Sequence, residues 1–262
     1  MAALALLAFG APRAFSADPS TVCFYSSETS VNNFRLLKEE FDSYLTRLGP
    51  YLFQPFSQVE TFETFVRDKK SSCSMVSSWH FKNLRERVAL EPVLVGRLRD
   101  RTMQRRVLAV DKSITSASLL KGEKIASAST EDYTRTLLRE LLHEAIGADV
   151  ASISVLKVPK DIDALMAVSF KMARAALTTE SSLANLSQIN PKQFSQLHVL
   201  ATSRETLLPI VAVPSQPESQ VEALVQILEQ MSAQPDGQRL VKMLGVDGLQ
   251  RLNAAEKNLL SP

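Results

Sequence analysis

Short apolar runs alternate with helical stripes along most of this chain, and the alternation predicts its elements. Thr21-Val22-Cys23-Phe24-Tyr25 is a β-prone run that ends in the polar turn Ser26-Ser27-Glu28-Thr29-Ser30. Phe34, Leu37, Phe41, Leu45 and Leu48 then recur at three- and four-residue spacing, and Gly49-Pro50 stops the stripe. A strand over 51–56, an amphipathic helix over about 59–69 and a strand at Ser74-Met75-Val76 follow. Strand–helix–strand–helix–strand in this order builds βαβ units and a mainly parallel sheet. Right-handed crossovers set the first and third strands side by side. Cys23 and Cys73 then fall at similar heights, which allows a disulfide between them; two free thiols are the alternative.

Val107-Leu108-Ala109-Val110 opens a second series. A strand at Ile125-Ala126 leads to a long helix through Leu137, Leu138, Leu141 and Leu142 that ends at Gly147. Then come a strand (153–158), a helix (about 161–171), a strand (173–177), a helix (about 180–188) and strands at 198–200 and 210–213. Pro214 and Pro217 mark an exit. In the tail Val221, Leu224, Val225, Leu228 and Met231 share one helical face, and two shorter helices flank Gly245 and Gly248. The expected class is therefore α/β, in two units.

Composition changes this picture little. With 262 residues, 45% apolar and 22% charged, the chain can bury a large core and reads as an ordinary soluble protein. Its formal net charge of +2 supplies no field for nucleic acid or anionic lipid, so nucleic acid is not expected as a partner. The first 17 residues differ from the rest: Ala2 to Phe9 is unbroken apolar sequence, followed by Gly10, Pro12 and Ala14-Phe15-Ser16-Ala17. A run that ends in a breaker and small residues reads as a secretory signal, although no basic residue precedes it. It is too short to span a bilayer. Export to a periplasm is expected.

Candidate chemistry is mostly negative. There is no Gly-rich phosphate loop, and Gly147 stands where a zinc motif begun by His143-Glu144 would need its second His. Asp161 and Asp163 sit at a helix start after Pro159, where acids favour the helix dipole, and are read as caps. No enzyme activity, metal or cofactor is expected. Arg97, Arg99, Arg101, Arg105 and Arg106 crowd ten positions; an anion contact is one reading, and a solvated crossover loop is favoured.

Polar residues gather instead at the carboxyl ends of four predicted strands, where open α/β sheets bind ligands. These are Tyr25-Ser26-Ser27, Ser77-Ser78-Trp79-His80, Ser127-Ala128-Ser129-Thr130 and Thr178-Thr179. Hydroxyls beside helix N-termini suit oxyanions or polar heads, although Ser and Thr are also simply good caps. The expected ligand contacts are Tyr25, Ser26, Ser27, Ser77, Ser78, Trp79, His80, Ser129, Thr130, Tyr133, Thr178 and Thr179. Trp79, the only tryptophan, fits a ligand wall or a core position.

The stretch from Asp111 to Ala126, DKSITSASLLKGEKIA, resembles the entry to the second lobe of type II periplasmic binding proteins. Pro235-Asp236-Gly237 through Leu244-Gly245-Val246-Asp247-Gly248-Leu249 is similar to the C-terminal motif of their phosphate/phosphonate-binding, PhnD-like branch, which serves ABC transporters. The resemblance implies two lobes, 18–104 with 215–262 and 105–214, each a mainly parallel sheet flanked by helices, joined by a two-strand hinge. It implies a monomer that closes on a small ligand and delivers it to an ABC permease. The lobe-two loop departs from the branch: after Ser127-Ala128-Ser129-Thr130 come Glu131 and Asp132, and the branch's Gly is missing. Two acids at that helix end would repel an anion, as would Glu28. A ligand other than phosphate or phosphonate is therefore expected. On the same fold, ligand sensing or lipid binding beside a membrane receptor is the alternative.

Overall fold

The computed structural model describes residues 19–28 and 33–261; the expected export signal at 1–17 lies outside the described residues. Strands β1 (Ser20–Phe24), β2 (Tyr51–Pro55) and β3 (Cys73–Val76) are parallel and linked by helices α1 (Phe34–Leu45) and α2 (Val59–Arg67). Phe41 of α1 stacks on Phe53 of β2 at 4.1 Å; Leu37, Phe41 and Leu45 of the stripe read from the sequence are the face that α1 buries, while Leu48 lies beyond the helix and is exposed. Helix α3 (Ser78–Arg85) and strand β4 (Leu90–Arg97) come next, and the chain crosses over as β5 (Met103–Asp111). The second sheet adds β6 (Lys124–Ser127), β7 (Ser154–Lys157), β8 (Ala175–Thr179) and β9 (Leu197–Leu207). Its helices are α4 (Glu131–Ile146), α5 (Asp161–Ser169), α6 (Glu180–Ile189) and the short α7 (Pro191–Phe194). β10 (Ile210–Pro214) returns to the first sheet, where α8 (Val221–Gln230), α9 (Pro235–Met243), β11 (Gly248–Arg251) and α10 (Ala254–Leu260) follow.

The sheets have the orders β11-β4-β10-β3-β1-β2 and β7-β6-β8-β5-β9, and each carries an apolar cluster on both faces. Sheets covered on both faces are what βαβ crossovers produce. Two segments join the lobes, 98–102 and 208–209, and they are bonded to each other: Leu208 N–H donates to Thr102 O at 2.8 Å, and Gly96 N–H to Pro209 O at 2.7 Å. This is the expected two-strand hinge.

Four expectations are corrected. β10 pairs antiparallel with β3 and β4, so it belongs to the first lobe and the return crossing precedes Ile210 instead of following Pro214. β9 is an 11-residue strand rather than the three residues at 198–200. β4 and β11 are strands that the sequence pattern missed. Pro92 disguised β4, and it sits where the β4–β10 register shifts, the place a proline is tolerated inside a sheet. The cysteines, finally, are free. β1 and β3 do pair, but Cys23 lies opposite Ser74 and Cys73 opposite Val22. Side chains alternate across a sheet, so the one-residue offset sends the two sulfurs to opposite faces. Cys23 Sγ instead meets Ser71 Oγ at 2.8 Å.

Candidate ligand site between the lobes

The four hydroxyl clusters lie at the carboxyl ends of β1, β3, β6 and β8. At the end of β1, Ser26 Oγ accepts from Glu28 N–H at 3.1 Å and fixes the turn that projects Glu28. At the end of β6, Thr130 caps α4 by accepting from Tyr133 N–H, and Thr134 Oγ1 bonds Ser127 Oγ at 2.8 Å. At the end of β8, Thr179 caps α6 through Ser182 N–H, and its own amide donates to Asp161 Oδ2 at 2.9 Å.

The centre of the site is a residue outside those clusters. β5 runs antiparallel to β8 and pairs Arg106 with Thr179. Its amino end therefore lies where β8, and β6 parallel to β8, present their carboxyl ends. Arg106 is 1% exposed, and among the described residues it is the only buried lysine or arginine. Its guanidinium pairs with Glu28 across the cleft, reaches Asp161 Oδ1 at 3.7 Å and Ser129 Oγ at 3.4 Å, and lies over the Tyr133 ring at 5.7 Å. Gln104, also on β5, donates to the second Glu28 oxygen at 2.8 Å. Burial disfavours the charged guanidinium, but Glu28 and Asp161 more than offset this and hold it firmly protonated. Burial pushes the Asp161 carboxyl up to about 6 against the downward pull of Arg106.

An aromatic wall completes the site. Trp79 of lobe 1 stacks on Tyr133 of lobe 2 with ring centroids 4.8 Å apart and planes 14° apart. His80 backs Trp79 at 5.3 Å but turns its Nε2 to Glu63 at 2.9 Å, so its polar edge serves lobe 1. Tyr25 packs edge-on against His80 and tilted against Phe62. Ser78 Oγ donates to Leu207 O at the hinge, and Ser77 begins α3 without a side-chain capping bond. The lobes meet again where Asp161 N–H donates to Ser27 O at 3.2 Å. Cavities of about 800 Å³ and about 540 Å³ flank the centre; Glu28 and Gln104 line the first, Trp79 and Tyr133 the second.

Among the described residues, several buried polar atoms here have no hydrogen-bond partner: Ser27 Oγ, Thr178 Oγ1, Trp79 Nε1, His80 Nδ1 and Asp161 Oδ1. Each such atom costs about 1–3 kcal/mol when left unpaired in a dry interior, and these five are available to water or to polar groups of a ligand. All twelve expected contact residues lie at or beside the cleft ends of the strands, but they differ in use. Ser26, Thr130 and Thr179 are spent on turns and caps, while Ser27, Trp79 and Thr178 keep unspent polar atoms.

The arginine cluster divides. Arg99, Arg101 and Arg105 are exposed, the last two on Glu205, which is the solvated crossover expected; Arg106 is the exception. The acids divide too. Glu131 is exposed and paired with Arg135 at 2.7 Å, and Asp132 is exposed, so neither shields the Arg106 guanidinium. Asp161, read as a helix cap, is a wholly buried partner of Arg106 instead.

No curated protein matches the chain by sequence. The family model of the phosphonate periplasmic substrate-binding protein of ABC transporters matches residues 24–256. Among solved structures, the binding-protein component of a phosphonate ABC transporter from Pseudomonas aeruginosa aligns with a TM-score of 0.75 at 13% identity, over 92% of this chain and 84% of that one. A Prochlorococcus marinus protein in complex with methylphosphonate aligns with a TM-score of 0.73 at 12% identity, over 92% and 94%. The periplasmic aliphatic sulphonate binding protein of Escherichia coli aligns with a TM-score of 0.60 at 14% identity, over 94% and 90%. These likenesses give the fold, a two-lobed type II periplasmic binding protein. Matched along nearly its whole described length, the chain belongs to the phosphonate-binding family of periplasmic substrate-binding proteins of ABC transporters.

Proposed function

We propose that this chain is exported to the periplasm and carries a small ligand with an anionic head to an ABC permease. The ligand's head sits at Arg106, and its body lies along the Trp79–Tyr133 wall. The protein does no chemistry on its ligand: binding and lobe closure are the whole function. The observation that supports this most is the guanidinium buried at the strand ends between the lobes, ringed by Ser129, Tyr133 and Asp161. Its fork, already paired with the Glu28 carboxylate, matches carboxylate, sulfonate and phosphonate oxygens alike. Thermal-shift screening against alkylphosphonates, alkylsulfonates and short carboxylates tests the reading. At least one class raises the melting temperature with a saturable dose response, and the rise disappears in Arg106→Met. No response to any class, or an equal response in the variant, overturns it.

A further inference from the structure

The anion seat already holds an anion. Glu28 arrives from lobe 1 on the turn after β1, and both of its carboxylate oxygens are spent on β5 of lobe 2, one on Arg106 and one on Gln104. Its side chain is 8% exposed, deep for a glutamate on a loop. Three other contacts close the same gap without involving it: the Trp79–Tyr133 stack, the bond from Asp161 N–H to Ser27 O, and the Lys157–Glu60 pair at 3.8 Å. The lobes are thus shut on a carboxylate that the protein itself supplies.

We propose that Glu28 is an internal occupant of the anion seat and sets the charge of the ligand that can replace it. This rests on Arg106 being the seat. Binding is then an exchange. A singly charged oxyanion takes over the Arg106 and Gln104 donors, and Glu28 swings out on its turn towards the cavity it lines. The exchange leaves the buried charge unchanged. A doubly charged head adds one further negative charge beside Asp161, which lies 3.7 Å from Arg106, and among the described residues no second buried lysine or arginine offsets it. The site therefore selects sulfonates, carboxylates and phosphoryl monoesters in their singly charged forms over dianions.

Sulfate and methanesulfonate share a tetrahedral sulfur and differ by one charge, so calorimetric titration of the full chain with each is the test. The wild type is expected to bind methanesulfonate at least tenfold more tightly than sulfate. Glu28→Gln keeps the shape and empties the charge; it tightens both anions and narrows the preference at least tenfold. If Glu28→Gln leaves both affinities unchanged or weaker while Arg106→Met abolishes methanesulfonate binding, the occupant is disproved and the Arg106 seat stands. If neither anion binds to the wild type or to Glu28→Gln, both fall.

Discussion

Arg106→Met removes a buried charge while keeping most of the buried volume, so its consequence is electrostatic before it is steric. Arg106 is 1% exposed and is the shared partner of Glu28 and Asp161. Its loss leaves two carboxylates facing each other in a site where burial already pushes Asp161 up to about 6. Breaking a buried pair from one side costs about 3–5 kcal/mol. For a chain of this size that is a fall of roughly 10 °C in melting temperature. The two acids have different escapes: Glu28 turns out to solvent on its loop, and Asp161 takes up a proton. The deficit is therefore largest at pH 7.5 and shrinks towards pH 5, where protonation has removed the conflict. Scanning calorimetry of wild type, Arg106→Met and the triple variant Arg106→Met/Glu28→Gln/Asp161→Asn separates the causes. The triple variant recovers most of the loss, because uncharged groups of similar volume replace the network. A loss under about 1 kcal/mol for Arg106→Met, or no recovery in the triple variant, would refute the buried network.

Asp161 has its folded pKa raised to about 6 from an unfolded value near 4, so the folded state holds the extra proton in that window. Its stabilising contribution is full below about pH 4 and is lost as pH rises through about 6, so wild type should lose ~3 kcal/mol relative to Asp161→Asn across that range in urea titrations; a flat difference contradicts the assignment. Both thiols should resist a thiol reagent in the native protein, since burial pushes Cys23 up to about 11 and Cys73 higher still, and two should titrate after unfolding without reductant. One disulfide in the intact mass would overturn the β1–β3 register. Gly237→Ala places a Cβ 2.1 Å from Met231 O and should cost ~1–3 kcal/mol by chemical denaturation, while a neutral result would mean that the start of α9 packs differently.

Much of the fold was legible because its parallel strands and amphipathic helices have strong periodicity. Leu37, Phe41 and Leu45 read as one buried helical face, although the same stripe carried on to the exposed Leu48, and β1–α1–β2–α2–β3 read as one unit. Most of the strand misreadings fell in antiparallel pairs. β4 hides behind Pro92, β11 is only four residues long, and β10 had to be placed by its partners rather than its own sequence. The candidate site divides in the same way. The hydroxyl clusters were legible because they end parallel strands. Arg106 was not, because on an antiparallel strand the cleft lies at the amino end, a fact of the β5–β8 register. Asp161 looked like a cap because it begins a helix, and only the packing of α5 against β8 shows its carboxylate turned to Thr179 and Arg106. Cys23 and Cys73 show the limit most plainly: neighbouring strands were predictable, and the parity of a one-residue offset was not.

The position of a ligand's charged head is the most direct test of the Arg106 seat. A crystal structure grown with the tightest-binding compound from the thermal-shift panel measures that directly. The head is predicted to bond the Arg106 guanidinium and Ser129 Oγ between the lobes, with Glu28 moved off Arg106. A ligand bound elsewhere, with the Arg106–Glu28 pair intact, would contradict it.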